Sequence, residues 1–184
     1  MPKEKLITIA QVKKEIKNLE QNEYIELITE IVQACPQARE FLTVKYSDAE
    51  NINEILEKYK QKIVFEFFPK NDIGRLDLRQ AKKAISDFKR ICSDKTMEID
   101  LMLLYVENCV EFTATYGDMT ESFYNSAASV YSQIVKKINA SDRATYNIFA
   151  QRLKSAAENA CHGWGFYDEM IDLHEEIVWL KGEK

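Results

Sequence analysis

The sequence predicts an all-α fold: a single domain over residues 1–184, built as a bundle of about nine mostly antiparallel helices. Apolar residues recur every three or four positions along almost the whole chain, which is the spacing of amphipathic helices. Glycine and proline are scarce, with five and three residues, and they fall between the periodic segments. With 46% apolar residues, the chain has enough material for one continuous core.

Three predicted helices occupy the N-terminal part of the chain. Thr8 is a candidate N-cap for a first helix that ends near Leu19, and Asn22 is a candidate N-cap for the second. Pro36 suits the first turn of a short third helix that ends near Tyr46. The second helix carries a one-sided apolar stripe of Ile25, Ile28 and Val32.

Asp48 opens a fourth helix, which should end at Phe68–Pro69 because proline cannot continue a helix from within. The segment 70–76 is predicted to be a loop. Asp77 with Gln80 then resembles the capping box of a fifth helix. The apolar face of the fourth helix consists of Ile52, Ile55, Leu56, Tyr59 and Ile63.

The sixth helix begins at Asp94 and is the most apolar of the chain, so we expect it at the centre of the bundle. Gly117 is its expected C-terminal cap. Asp118 with Glu121 offers a capping box for the seventh helix. The seventh helix keeps one apolar stripe of Phe123, Ala127, Val130, Ile134 and Ile138.

Two further helices complete the bundle. The eighth starts at Ser141 and ends before Gly163, and the last runs from about Phe166 to Leu180. Helix pairs joined by short loops follow the arrangement of helical-repeat proteins, although no repeat of about 34 residues is present. The inward face of the eighth helix consists of Tyr146, Phe149, Leu153, Ala156 and Ala160.

Composition narrows the classes of function. A net charge of −5 disfavours general affinity for nucleic acid or anionic lipid. The four cysteines are far apart, without metal-ligand spacing, and are predicted to be buried thiols. The longest purely apolar run, 101–106, is far shorter than the roughly 20 residues of a membrane helix, and 6–10 is too short for a signal peptide. We expect a cytoplasmic protein with no membrane contact, no metal and no cofactor.

Seven stretches in the middle and at the end of the chain carry a family resemblance. They are EFFP at 66–69, LRQAKKAI at 78–85, YVE at 105–107, VEFT at 110–113, TYGD at 115–118, FYNS at 123–126 and GWGF at 163–166. On these stretches the chain resembles uncharacterised bacterial proteins, the domain-of-unknown-function family numbered 6155. The resemblance covers most of the chain and is weakest in the first two helices and over 133–159. It implies a bacterial helical domain and carries over no catalytic role.

Three carboxylates share one face of the apolar sixth helix. Glu107 and Glu111 lie one turn apart, and Asp100 lies two turns before Glu107. Such a set could bind a divalent metal, hold a cationic ligand or act as an acid and base pair. The other interpretation, which we favour, is that they face water or form structural ion pairs with the preceding helix, through Arg79, Lys82 or Lys83.

Trp164 lies between Gly163 and Gly165 at a predicted helix junction. A tryptophan in this position is either a rigid aromatic presented to a ligand or partner, or the commoner plug over the core. The only histidines, His162 and His174, are twelve residues apart, which excludes a His-rich metal site. His174 is predicted to lie on a solvated helix face.

A basic stretch precedes an acidic one. Residues 70–90 contain seven basic and three acidic residues, and residues 94–121 contain seven acidic residues and one lysine. A basic loop and helix could track phosphates. We favour the intramolecular interpretation, in which adjacent antiparallel helices of opposite charge attract each other.

Three hypotheses on function remain. The leading one is a non-enzymatic helical protein-interaction module that binds another protein or a copy of itself through Trp164, Lys82 and Lys83. The second is a ligand- or metal-binding protein or enzyme whose carboxylate and aromatic pocket is built from Glu107, Glu111, Tyr105, Tyr116 and Trp164. The sequence lacks Gly-x-Ser-x-Gly and a glycine-rich phosphate loop, which disfavours serine hydrolases and P-loop enzymes. The third is nucleic-acid binding through residues 70–90.

Overall fold

The computed structural model describes residues 6–70 and 76–182, and all regular structure within these ranges is helical. This confirms the all-α prediction. A 3₁₀ turn, Gly163–Gly165, precedes the ninth α-helix, and a second one, Val178–Gly182, follows it. The α-helices in these ranges are α1 (Ile9–Ile16), α2 (Gln21–Ala34), α3 (Pro36–Tyr46), α4 (Ala49–Phe67), α5 (Leu78–Ile91), α6 (Lys95–Tyr116), α7 (Glu121–Asn139), α8 (Arg143–Glu158) and α9 (Phe166–Glu175).

The core lies among α4 to α9, whose buried apolar residues form one cluster. Consecutive helices pack as pairs, α4 on α5, α6 on α7 and α8 on α9. Helix α6 touches four other helices, α4, α5, α7 and α8, and has buried residues on nearly every side. The prediction that the most apolar helix lies at the centre is therefore confirmed.

The first three helices add little to this core. Neither α1 nor α2 buries a single residue, and α3 buries only Glu40. Helix α2 packs on α3, and α3 packs on α4 and α5. The apolar stripe predicted for the second helix is real, but Ile25 and Ile28 are 56% and 51% exposed.

Most helix starts follow the capping residues in the sequence. Thr8 caps α1 in a capping box with Gln11, and Asp48 and Asp94 cap α4 and α6 through their side chains. Gly117 ends α6 at a φ of +91°, a backbone conformation that favours glycine. These predictions are confirmed because each depends only on residues within one helical turn.

Three predicted starts are wrong by one or two residues. Helix α2 is capped by Glu20 instead of Asn22, because the Glu23 carboxylate accepts the Glu20 backbone N–H at 2.7 Å. Helix α7 starts after Thr120, because the Asp118 carboxylate accepts from the Tyr124 hydroxyl. Helix α8 starts after Asp142, one residue beyond Ser141. Most of the predicted loop 70–76 lies outside the described residues.

The last helix is shorter than predicted, ending at Glu175 instead of near Leu180. Residues at the end of α7 bind the segment that follows α9. Asn139 donates to the Glu176 carbonyl at 3.0 Å and accepts from the Val178 N–H at 3.0 Å, and the Trp179 indole donates to the Ile138 carbonyl. These bonds replace the helical ones and turn the chain into the final 3₁₀ segment.

Among the described helices, none combines the length and the apolar character needed to cross a bilayer.

Two aliphatic residues of α8 test where the core lies. Leu153 is fully buried and Ile148 is 63% exposed. We expect Leu153→Ala to lower the free energy of unfolding by about 3 kcal/mol, through lost burial and the cavity left behind, and Ile148→Ala to change it by less than about 0.5 kcal/mol. Urea unfolding followed by circular dichroism measures both, and equal effects would contradict this placement of the core.

Candidate functional site

The carboxylate face of α6 is covered by α8. The Arg152 guanidinium donates from Nε and Nη2 to the two Glu107 oxygens, at 2.8 and 2.7 Å, and from Nη1 to Asp100. Lys60 of α4 binds the other Asp100 oxygen at 2.9 Å. Glu107 is thus paired across the bundle with Arg152 and not with Arg79, Lys82 or Lys83, because α8 packs on this side of α6.

These pairs hold the charges in place. Burial by itself raises the pKa of Asp100, but the hydrogen bonds from Arg152 and Lys60 outweigh burial and leave that pKa below its usual value. The hydrogen bonds to Glu107 raise the pKa of Arg152 against the opposing effect of burial. Groups locked in their charged forms are poor proton donors and acceptors near neutral pH. The Asp100–Glu107–Arg152 cluster therefore suits a structural ion pair better than general acid–base catalysis.

Glu111 lies outside this cluster. Its side chain is exposed, one turn beyond Glu107. In the described part of the chain, no group of three His, Cys, Asp or Glu residues is arranged to hold a metal ion. The structure thus does not bring Glu107 and Glu111 together as ligands of one site.

Two other candidates, Tyr105 and Lys82, meet at Ser126 of α7. The buried Tyr105 hydroxyl lies 2.9 Å from the Ser126 hydroxyl, and the Lys82 ammonium donates to the same oxygen at 2.8 Å. A serine beside a lysine occurs in some hydrolases. Ser126, however, lies inside a helix whose backbone N–H groups are used in helical bonds, so they are not free to stabilise an oxyanion.

The remaining basic candidates are mostly paired locally. Lys83 binds Asp87 one turn along α5 at 2.7 Å, and Lys89 binds Glu98 of α6 at 3.0 Å. Arg79 is 92% exposed and lies 3.6 Å from Asp77. The Lys89 pair is of the kind expected between the basic and acidic stretches, whereas Lys83 pairs within its own helix.

Trp164 is presented to solvent. Its side chain and backbone are 64% exposed, and its φ is +54°, a left-handed conformation that L residues rarely adopt. Gly165 follows with a φ of +72°. At Gly163 an added Cβ would lie 2.6 Å from the Asp118 carboxylate, so only glycine fits this contact. The sequence favoured a plug over the core, and this interpretation is wrong, because the left-handed backbone leaves the indole on the surface.

Asp118 joins two ends of the bundle at this point. Its carboxylate accepts from the Tyr124 hydroxyl at 2.6 Å and from the Met119 N–H at 3.0 Å, while its side chain packs against Gly163. Tyr116, two residues before Asp118, is 53% exposed and its ring packs 4.6 Å from that of Phe112. Tyr116 and Trp164 thus flank the same contact, where α6 ends and α9 begins.

The candidate residues do not line the clefts found elsewhere on the described surface. A shallow cleft of about 650 Å³ lies along α4, between Glu50 and Gln61. Another, of about 330 Å³, lies between α7 and α9 and includes Asn125 and Glu169. The residues expected to form one pocket are not brought together. Glu107 pairs with α8, Tyr105 meets α7 and Glu111 is exposed, whereas Tyr116 and Trp164 lie beside the contact between Asp118 and Gly163.

Sequence reasoning missed Arg152, Ser126 and Tyr131. Arg152 gives a usable signal, since it interrupts the inward face of α8 between Phe149 and Ala156. His174, predicted on a solvated face, is half-buried, and its Nδ1 lies 2.9 Å from the Tyr131 hydroxyl. Tyr131 donates to the Leu153 carbonyl at 3.0 Å, so it accepts from His174.

Removing Arg152 should leave two carboxylates without their main partner. We expect Arg152→Ala to lower the free energy of unfolding by about 2 kcal/mol, and Lys154→Ala, which breaks an exposed pair with Glu158, by less than about 0.5 kcal/mol. In an Asp100→Asn, Glu107→Gln background the Arg152→Ala loss should shrink. Urea unfolding of these variants measures the coupling, and an undiminished loss would contradict it.

Protonation of His174 should destabilise the fold. Burial lowers the pKa of His174 below 6.5, Glu158 and Glu175 oppose this effect, and Lys154 adds to it. Since the unfolded chain then binds the proton more readily, stability is complete above about pH 6.5 and falls as the pH drops through the folded pKa. His174→Gln should flatten this fall between about pH 7 and 5. His162→Gln, at the exposed second histidine, is the matched control variant.

Comparison with known proteins places the chain in a family. A model described as a family of unknown function, DUF6155, matches residues 7–177, nearly the whole chain. No curated protein and no solved structure matches it. The match includes all of the helices α1 to α9, and it agrees with the resemblance seen in the middle and at the end of the sequence. This chain belongs to the family of unknown function DUF6155.

Proposed function

We propose that this chain is a non-enzymatic protein-interaction module of the bacterial cytoplasm, and that Trp164 is the centre of its partner surface. The observation that carries the proposal is the exposed, left-handed Trp164 between two glycines. A left-handed backbone at a residue other than glycine destabilises the fold by about 1–3 kcal/mol and is concentrated at functional sites. An exposed indole adds no core packing to offset this.

The surroundings of Trp164 suit a basic partner. Asp168 and Glu169, in the first turn of α9, are exposed close to it along the chain. Tryptophan is the aromatic that best attracts a cation over its ring face, and it is enriched at the centres of protein interfaces. The partner therefore presents an arginine or lysine to the indole, with the two acidic residues at the rim.

Two observations support a binding role over catalysis. Glu107, which the pocket hypothesis needs, has both carboxylate oxygens occupied by Arg152. The Lys82–Ser126 contact has no free backbone donors beside it.

The cytoplasmic part of the proposal is supported by the cysteines, because all four are free, as in proteins of reducing compartments. Bacterial origin follows the resemblance noted in the sequence.

Trp164→Asn tests the proposal directly. Asparagine tolerates the left-handed backbone, so we expect the variant to unfold at the same or up to about 1 kcal/mol higher free energy while losing the partner. Affinity capture of the tagged full chain from its own cells, followed by quantitative mass spectrometry, measures the loss. Ile148→Asn, at a similarly exposed position on α8, is the matched control and should keep the partner.

The charge reversals Lys82→Glu and Lys83→Glu show whether the partner surface extends to α5. A partner that Trp164→Asn and this double variant both retain would overturn the proposal. A fluorescence measurement gives an independent check, since Trp179→Phe leaves Trp164 as the single tryptophan of the chain. Its emission should shift to shorter wavelength when the purified partner covers it, and an unchanged spectrum on binding would place the interface elsewhere.

A further inference from the structure

The apolar surface of α1 and α2 is unusual for a free chain. Both helices are amphipathic, yet neither buries a residue. Exposure reaches 78% at Leu6, 77% at Ile9 and 56% at Ile25. The N-terminal apolar face, as we call this surface, consists of Leu6 and Ile7, just before α1, of Ile9 in α1, and of Ile25, Ile28 and Ile31 in α2.

This face is large enough to form an interface. Its six side chains leave on the order of 500 Å² of apolar surface in water, near the largest patch that monomeric proteins usually expose. Two such faces in contact would bury on the order of 1,000 Å², the lower limit for a specific protein interface. At about 25 cal/mol per Å², burial of this surface is a substantial driving force for association.

The charges flanking the face are of opposite sign on the two helices. Helix α1 carries Lys13 and Lys14 against one glutamate, whereas the charged residues of α2 are all acidic, Glu23, Glu26 and Glu30. The Tyr24 hydroxyl donates to the Ile16 carbonyl at 2.6 Å and ties the two helices together. The unit thus combines a basic helix, α1, and an acidic helix, α2, and we call their charged residues its basic edge and its acidic edge.

We propose that a second copy of this chain covers the N-terminal apolar face, forming a two-fold homodimer. In such a dimer the face packs on itself, and α1 of each copy lies against α2 of the other. Each basic edge then meets an acidic edge, twice, because a two-fold axis repeats every contact. The inference is independent of the role proposed for Trp164, which lies at the far end of the chain.

A membrane surface suits this face less well. Basic amphipathic helices bind anionic lipid when lysines dominate the polar side. Residues 6–34 contain three lysines against five glutamates, so an anionic bilayer would repel the unit as a whole. A second copy offers opposite charges to both the basic and the acidic edge, whereas an anionic bilayer attracts only the basic edge.

Sedimentation equilibrium of the full chain, at about 1–100 µM, tests the proposal. We expect a monomer–dimer equilibrium in the wild-type protein. Ile25→Glu with Ile28→Glu should raise the dissociation constant by at least about 100-fold, because four charges would enter the apolar interface. Ile148→Glu, equally exposed but on α8, is the control and should leave it unchanged. Circular dichroism verifies that each variant is folded.

A charge exchange distinguishes this dimer from any other. Variant A carries Lys13→Glu and Lys14→Glu, so both its edges are acidic, and variant B carries Glu26→Lys and Glu30→Lys, which makes α2 basic like α1. Each should be more weakly dimeric alone, and mixing them should produce the A–B heterodimer in native mass spectrometry. A monomeric wild-type chain, a dimer that survives Ile25→Glu with Ile28→Glu, or no gain on mixing would overturn the proposal. Binding of the wild-type chain to vesicles containing phosphatidylserine, without a dimer, would also overturn it.

Discussion

Helix α6 is buried on nearly all sides, and three of its four acidic residues, Glu98, Asp100 and Glu107, are paired with cations of the neighbouring helices. An ionised carboxylate that loses contact with water destabilises the fold unless a cation and hydrogen bonds compensate. The partners come from different helices. The Glu98 carboxylate binds Lys89 of α5 and Lys137 of α7, and Asp100 and Glu107 bind Lys60 of α4 and Arg152 of α8.

Each neighbour of α6 therefore carries a cation at the level of a particular carboxylate. Where only apolar side chains are in contact, shifting one helix along another destabilises the fold modestly, because Leu, Ile and Val side chains can repack. Where a carboxylate of α6 is paired, the same shift destabilises the fold more, because it leaves a charge unpaired. We infer that the ion pairs help to specify which helix lies on which side of α6 and in which register.

This requirement also limits the chemistry of the interior. The hydrogen bonds from Lys137 and Lys89 overcome burial and lower the pKa of Glu98, and Asp100 is held in the same way. Burial raises the pKa of the Tyr105 hydroxyl and of the Cys109 thiol, so both stay protonated. Groups that are held in one protonation state stabilise the fold but are poorly suited to proton transfer. Our two proposals accordingly concern the surface, at Trp164 and on α1 and α2.

The sequence predicted the helices of the core closely, because their apolar stripes and caps are local patterns. All five stripe residues of α7, from Phe123 to Ile138, are buried. The partner of Glu107 was missed because Arg152 is 45 residues away and pairs with it only after α8 has packed on α6. Ile25 and Ile28 show a different limit, because their stripe was predicted correctly and yet stays exposed. A stripe indicates that a helix has an apolar face, but not what covers the face.

Trp164 shows a third limit, since the sequence favoured a plug and the structure has the indole exposed in a left-handed turn. Beside this turn, Gly163 packs against Asp118, which lies 45 residues earlier in the chain. Once formed, this turn leaves the isolated chain less stable than glycine or asparagine would at position 164, and the uncovered face of α2 leaves apolar side chains in water. Features of this kind persist when binding relieves them or depends on them. The two proposals are compatible, because the proposed two-fold dimer through α1 and α2 would carry two Trp164 surfaces. A partner with two matching sites would then bind more tightly than one site allows, without any new contact.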